Sequence, residues 1–182
     1  MAITRTLALT AALLLAGGIA AAQDKAAERR QEIDARAEQT LEKLFEAQGS
    51  ARDLYDQAAG YAAFTATKAG FFVTGGGGTG VAVDKASGQR TYMRMGTGGV
   101  GLGIGAQRYD LVILFETPAH LNRFIQGGWD ASTTAQAAAG KEGVTFTSSF
   151  VDGVAFFQLT DRGLMAQADV SGTRFWTVEE LN

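Results

Sequence analysis

The sequence contains no cysteine, one proline and one histidine. Without cysteine there is no disulfide, no thiolate metal site and no lipid-modified N-terminal cysteine. A single histidine leaves a catalytic zinc short of its three protein ligands. His120 has only Glu116, four residues earlier, as a companion, and it is expected on the exposed side of a helix. Any Ser-His-Asp site would have to use the same residue, and no serine stands in a G-x-S-x-G elbow. Asp110, Asp152, Asp161 and Asp169 fall mostly beside turns or strand ends, where acidic residues bond to backbone. No spacing of carboxylates points to paired-carboxylate hydrolysis. A G-x-x-x-x-G-K-[ST] phosphate loop is also missing. No metal or cofactor is expected.

Long apolar runs are scarce too. The one candidate is the N-terminus, where Arg5 precedes Leu7, Leu9, Leu13, Leu14, Leu15 and Ile19 set among alanines. That run is shorter than a membrane anchor, which needs about 20 strongly apolar residues. Ala20-Ala21-Ala22 then supplies a small-x-small cleavage site. Residues 1–22 therefore read as a secretory signal, with Gln23 as the new N-terminus and the periplasm or exterior as destination. Removing 22 of the 182 residues leaves 160, about one domain. Cleavage takes away one of 16 basic residues and none of the 19 acidic ones, moving the net charge from −3 to −4. An acidic domain argues against nucleic-acid binding.

Glycine is abundant, with 24 residues, and it is interleaved with Val, Leu, Ile and Phe. That pattern reads as ordered structure rather than a low-complexity tract. Asp24 to Gln48 is rich in helix formers, with Ile33, Ala37, Leu41, Leu44 and Phe45 at helical spacing. Its polar side mixes both charges, so its stripe is expected against a sheet rather than on a membrane surface. A second helix is expected after Ser50, read as the start of a capping box, up to Gly60. Strands are expected at Tyr61–Thr67, Phe71–Thr74, Gly80–Val83 and Arg90–Met95, with a hairpin loop over Asp84–Gln89.

Gly99, Gly101, Gly103 and Gly105 alternate with apolar residues. A helix loses about 1 kcal/mol at each such glycine, so one strand with a bare face is expected across this run, its glycines structural and closely approached. Tyr109–Phe115 follows as a strand. Thr117-Pro118 opens a helix with Leu121, Phe124 and Ile125 inward. A helical stretch from Trp129 to Ala139 precedes strands at Val144–Phe150, Val154–Leu159, Leu164–Val170 and Thr173–Val178. The fold class is α+β: helices packed on a glycine-rich antiparallel sheet, with curling into a barrel left open. Two G-x-G-x-x-G matches, at Gly75–Gly80 and Gly96–Gly101, lead into strands rather than helices and read as structural.

The order of several motifs resembles the SYLF domain family, most closely its secreted bacterial branch. These are Phe71-Phe72-Val73-Thr74-Gly75, Gly78-Thr79-Gly80-Val81, Gly105-Ala106-Gln107, Asp110-Leu111-Val112, Gly163-Leu164-Met165-Ala166 and Asp169-Val170-Ser171-Gly172. The similarity covers roughly Leu41 to Asn182. It divides the chain into a signal (1–22), an N-terminal helix (23–48) and a SYLF-like domain (49–182). The resemblance implies a lipid-binding domain without catalysis. Eukaryotic members bind phosphoinositides, partly through a basic N-terminal helix, and yeast members bind actin. Here that helix is not basic.

The resulting expectation is a periplasmic, non-catalytic module for phospholipid or another amphiphile at a membrane surface. Its candidate contacts are Arg29, Arg30, Arg90, Arg94 and Arg108. These arginines are scattered along the chain, so lipid affinity is expected to come mainly from apolar burial and to vary little with salt. The alternatives are a structural envelope protein docked on another protein, and a hydrolase built on carboxylates that no motif reveals.

Overall fold

A computed structural model describes residues 3–70, 73–100, 105–127, 149–160, 163–164 and 172–182. Helix α1 (Ile3–Ala47) leads into α2 (Gly49–Gln57). The strands are β1 (Gly60–Gly70), β2 (Val73–Asp84), β3 (Arg90–Val100) and β4 (Gly105–Phe115). Helix α3 (Pro118–Ile125) follows, then β5 (Val154–Thr160), β6 (Gly163–Leu164), β7 (Thr173–Thr177) and a closing 3-10 turn, Glu179–Leu181.

All seven strands form one antiparallel sheet in the order β6-β5-β4-β1-β2-β3-β7. No described pairing joins β6 to β7, so the sheet is open rather than closed into a barrel. The architecture is α+β, as the helical and alternating periodicities of the sequence require.

Helices cover both faces. On one, Ile33, Ala37, Leu41 and Leu44 of α1 pack with Leu54 of α2 over Tyr61, Ala63, Val81, Val112 and Phe157. The apolar stripe of α1 thus lies on the sheet, and Phe45 at its end meets Tyr55 edge-on at 5.3 Å. On the other face Leu121 and Phe124 of α3 close over Phe64, Leu111, Ile113 and Phe115. Phe124 stacks within 5.0 Å of both Phe115 and Phe175. Because both faces are covered, Leu111–Phe115 is a continuous buried run instead of an alternating one.

The local signals at α3 act as their chemistry dictates. Thr117 has extended backbone (φ −129°, ψ 157°), its side chain accepts from the His120 N–H, and Pro118 takes the first helical position. The Asp84–Gln89 turn is held by Asp84 Oδ1, which accepts from Ser87 N at 2.8 Å and Ser87 Oγ at 2.9 Å.

Three expectations need correction. Ser50 is not an N-cap: α2 begins at Gly49, and the Ser50 hydroxyl accepts from the Gln48 side chain at 3.0 Å. Phe71–Thr74 and Gly80–Val83 are not separate strands, because β2 runs unbroken from Val73 through the glycines to Asp84. Gly99 and Gly105 do not share a strand. Gly99 lies in β3 opposite Thr74 and Gly105 opens β4 opposite Gly70, with β1 and β2 between those strands. Alternation reports the pleat on either side of a break but not the break itself. Gly101, Gly103 and the segments expected at 129–139 and 144–148 lie outside the described residues, as does most of that at 164–170.

Candidate functional site

The site follows from rows of cross-strand partners on the α1 face of the sheet. One row reads Tyr92, Val81, Ala63, Val112, Phe157 across β3, β2, β1, β4 and β5. It is apolar and buried beneath α1. Two residues further along each strand, on the same face, the chemistry changes. The second row reads Trp176, Arg94, Thr79, Thr65, Asp110, Leu159. The third reads Arg174, Gly96, Gly77, Thr67, Arg108. Hydroxyls and bare backbone thus replace the apolar surface, with arginines at both sides.

These rows floor an open basin of about 640 Å³ lined by Arg29, Arg36, Arg94, Arg108 and Trp176 over Thr67 and Thr79. Arg29 and Arg36, seven residues apart on α1, form its upper wall. A second cleft of about 710 Å³ continues between α1 and the sheet toward Lys43, Asp110 and Leu159. Arg36, Thr65 and Arg108 line both cavities, so they stand at the junction.

The electrostatics are uneven. Arg36 is held by Glu32 at 2.6 Å. Asp110 accepts from Thr65 Oγ1 at 2.8 Å and lies 3.6 Å from Lys43 Nζ. Among the described residues, Arg29, Arg94 and Arg108 have no carboxylate partner, and no carboxylate lines the basin. The hydroxyls of Thr67 and Thr79 likewise have no protein partner among them. Three guanidiniums beside donor hydroxyls have the charge and the hydrogen-bond donors that an anion would need. Trp176 is the exposed large apolar side chain of the described core, 46% accessible, and borders the same basin.

Of the five arginines read from the sequence, Arg29, Arg94 and Arg108 therefore line one basin. The expectation that the cations stay scattered does not hold for these three, because distance along the chain says nothing about strand register. Arg30 and Arg90 are structural instead. Arg30 donates to the Leu181 carbonyl at 3.4 Å, and Arg90 pairs with Asp34 at 2.9 Å. Asp34 also accepts from the Tyr92 hydroxyl at 3.0 Å, pinning α1 to β3. Burial first, then this bond, raises the Tyr92 phenol above its ordinary pKa. Sequence reasoning missed Arg36, Thr67, Thr79 and Trp176; only the period-2 alternation of Thr65 and Thr67 with Ala66 hinted at a polar face.

The crowded glycine face lies on β2. A Cβ at Gly78 would meet the Thr65 carbonyl at 2.4 Å, and one at Gly80 the Ala63 carbonyl at 2.2 Å. His120 is half-buried rather than exposed: its Nδ1 lies 2.8 Å from Thr117 Oγ1, and its ring packs on Gly153, where φ is +78°. No group of three His, Asp or Glu side chains gathers among the described residues. No described helix is long and apolar enough to cross a membrane.

Residues 96–182, which include Gly96, Arg108 and Trp176, match the family model described as "Ysc84: Las17-binding protein actin regulator". This stretch is similar to the Ysc84, or SYLF, family. The chain is also similar to Beta cell expansion factor A of Aeromonas veronii, 38% identical over 156 residues. That alignment takes in 86% of this chain, which spans 60% of the length of the relative. The family description names binding rather than a reaction, and the basin is open, cationic and floored by hydroxyls.

Proposed function

We propose that this protein is a non-catalytic binding module for anionic amphiphiles, phospholipid foremost, and that it works outside the cytoplasm after cleavage near Ala22. The observation that carries the reading is the basin of Arg29, Arg94 and Arg108, which have no carboxylate partner among the described residues, beside exposed Trp176. Guanidiniums take the phosphate of a headgroup, and an indole with one wet side suits the boundary between headgroup and acyl chain. The family's binding description supports a module over an enzyme. Export rests on the Arg5, leucine-rich and Ala20-Ala21-Ala22 pattern of the first 22 residues.

Mass spectrometry of material that co-purifies with the protein from its native envelope tests the reading. Phospholipid in stoichiometric amount is the expected result. A stable protein partner without lipid would replace it with envelope docking. Intact mass of the same sample is expected to start at Gln23; a membrane-pelleting species retaining Met1 would indicate an anchor.

A further inference from the structure

The second cleft differs from the basin in the sign of its charge. Along α1 its wall is formed by Arg36, Gln39, Thr40, Lys43 and Glu46, which recur every three or four residues and so share one helical face. Across from them stand Thr65 of β1 with Arg108 and Asp110 of β4. Arg36 and Arg108 make the end shared with the basin cationic. Asp110 and, further along α1, Glu46 bring carboxylates that the basin lacks. The Asp110 side of the cleft repels a ligand with negative charge alone, so a ligand that spans the cleft needs a cation as well as an anion.

Asp110 is arranged to receive an ammonium. Thr65 Oγ1 donates to its Oδ1 at 2.8 Å, and Oδ2 faces the Lys43 ammonium at 3.6 Å. The Asp110 side chain is 16% exposed and that of Lys43 62%, so the carboxylate is held while its exposed ion pair is worth little. Lys43 thus marks where an ammonium sits, and a better-held ammonium can displace it. Arg108 lies two positions earlier on the same strand and face, about 7 Å away along the backbone. It has no carboxylate partner among the described residues. Two residues of extended peptide span about the same 7 Å. On the facing wall Gln39 and Thr40, the latter 2% exposed, have no side-chain hydrogen-bond partner among the described residues. Their amide and hydroxyl suit the polar atoms of a peptide bond.

We propose that this cleft binds a dipeptide by both termini, its carboxylate on Arg108 with Arg36 and its ammonium on Asp110 Oδ2 in place of Lys43. The cleft volume of about 710 Å³ falls in the range of small-molecule sites, roughly 300–1,000 Å³, and leaves space for both ligand side chains. Arg36, Thr65 and Arg108 are shared with the basin, but the site requires no lipid and goes beyond the reading above.

Calorimetric titration of the full chain with dialanine tests the proposal, beside N-acetyl-dialanine, dialanine amide and free alanine. Dialanine is expected to bind, and blocking either terminus should weaken it about tenfold or more, the worth of a charged hydrogen bond. Free alanine is too short to reach both groups and should bind as weakly as the blocked forms. Asp110→Asn retains an oxygen for Thr65. It should lower the affinity for dialanine about tenfold and leave that for N-acetyl-dialanine unchanged. Lys43→Gln alters an exposed side chain and removes the competing ammonium, so dialanine should bind about two- to fivefold more tightly. A purely structural Lys43–Asp110 pair would not give that gain.

Absence of dialanine binding would overturn the proposal and leave the basin reading untouched, because co-purifying lipid reports on that separately. Equal binding of dialanine and its N-acetyl form, or no gain in Lys43→Gln, would overturn the ammonium site. Alanine binding as tightly as dialanine would overturn the two-residue span. Tighter binding of glycerophosphoethanolamine than of dialanine would replace the peptide with a zwitterionic headgroup.

Discussion

Trp176 lies over Gly96: a Cβ built at residue 96 meets the indole ring at 3.2 Å and 3.3 Å. The third row of the sheet thus makes room for the aromatic residue of the second. In Gly96→Ala the exposed indole, not the backbone, has to give way, so stability is expected to change by less than about 1 kcal/mol. Vesicle binding should nevertheless weaken, and the emission of Trp176 should shift, read in a Trp129→Phe background. Unchanged emission would mean that the ring does not rest on residue 96.

Gly80 contrasts with Gly98 on the neighbouring strand. At Gly80 a Cβ meets the Ala63 carbonyl oxygen and the Phe64 ring at 2.2 and 2.4 Å, whereas at Gly98 it meets nothing within 4 Å. Gly80→Ala is expected to destabilise the protein by about 1–3 kcal/mol through overpacking. Gly98→Ala should be neutral within about 0.5 kcal/mol. Thermal melts of the two variants check the contrast, and equal melting temperatures would refute it.

Asp34 ties α1 to β3 through the Arg90 guanidinium and the Tyr92 hydroxyl. Asp34→Ala removes the ion pair of partly exposed Arg90 and the hydrogen bond of buried Tyr92, so a loss of about 1–2 kcal/mol is expected. Because α1 carries the upper wall of the basin, amide exchange along residues 29–44 should accelerate. Unaltered exchange there would show that the apolar stripe alone holds the helix.

Tyr61 is buried under α1, and burial chiefly, then the neighbouring Tyr55, pushes its pKa up to about 12. The folded state therefore holds this proton above pH 10, where the unfolded chain releases it. The associated stability is complete below about pH 10 and is lost as pH rises toward 12, by roughly 2–3 kcal/mol from this group. Denaturant melts between pH 9 and 12 should show the decline, and Tyr61→Phe should flatten it. An equal slope in the variant would assign the effect to other groups.

What could be read from the sequence was local. The spacing of Ile33, Ala37, Leu41 and Leu44 depends only on the helical period, and all four are buried. Thr117-Pro118 and Asp84–Ser87 carry their own hydrogen-bonding chemistry and gave the α3 start and the β2–β3 turn. The basin was hidden because it is made by register. Arg94 and Arg108 sit fourteen positions apart in sequence, and only the pairing of four strands places both above Thr67 and Thr79. Arg30 and Arg90 looked equivalent to Arg29 and Arg94 for the same reason. Their partners, Leu181 and Asp34, lie far away in the chain.

In the proposed reading, Arg29, Arg94 and Arg108, without carboxylate partners among the described residues, make the α1 face of the sheet an anion receptor. Flotation with phosphatidylglycerol vesicles, from low to physiological salt, tests it most directly. Binding is expected to weaken several-fold as salt screens the guanidiniums, and Arg94→Gln with Arg108→Gln should remove most of both the affinity and its salt dependence. Binding that ignores salt and survives both substitutions would contradict the account and return the affinity to apolar contact alone.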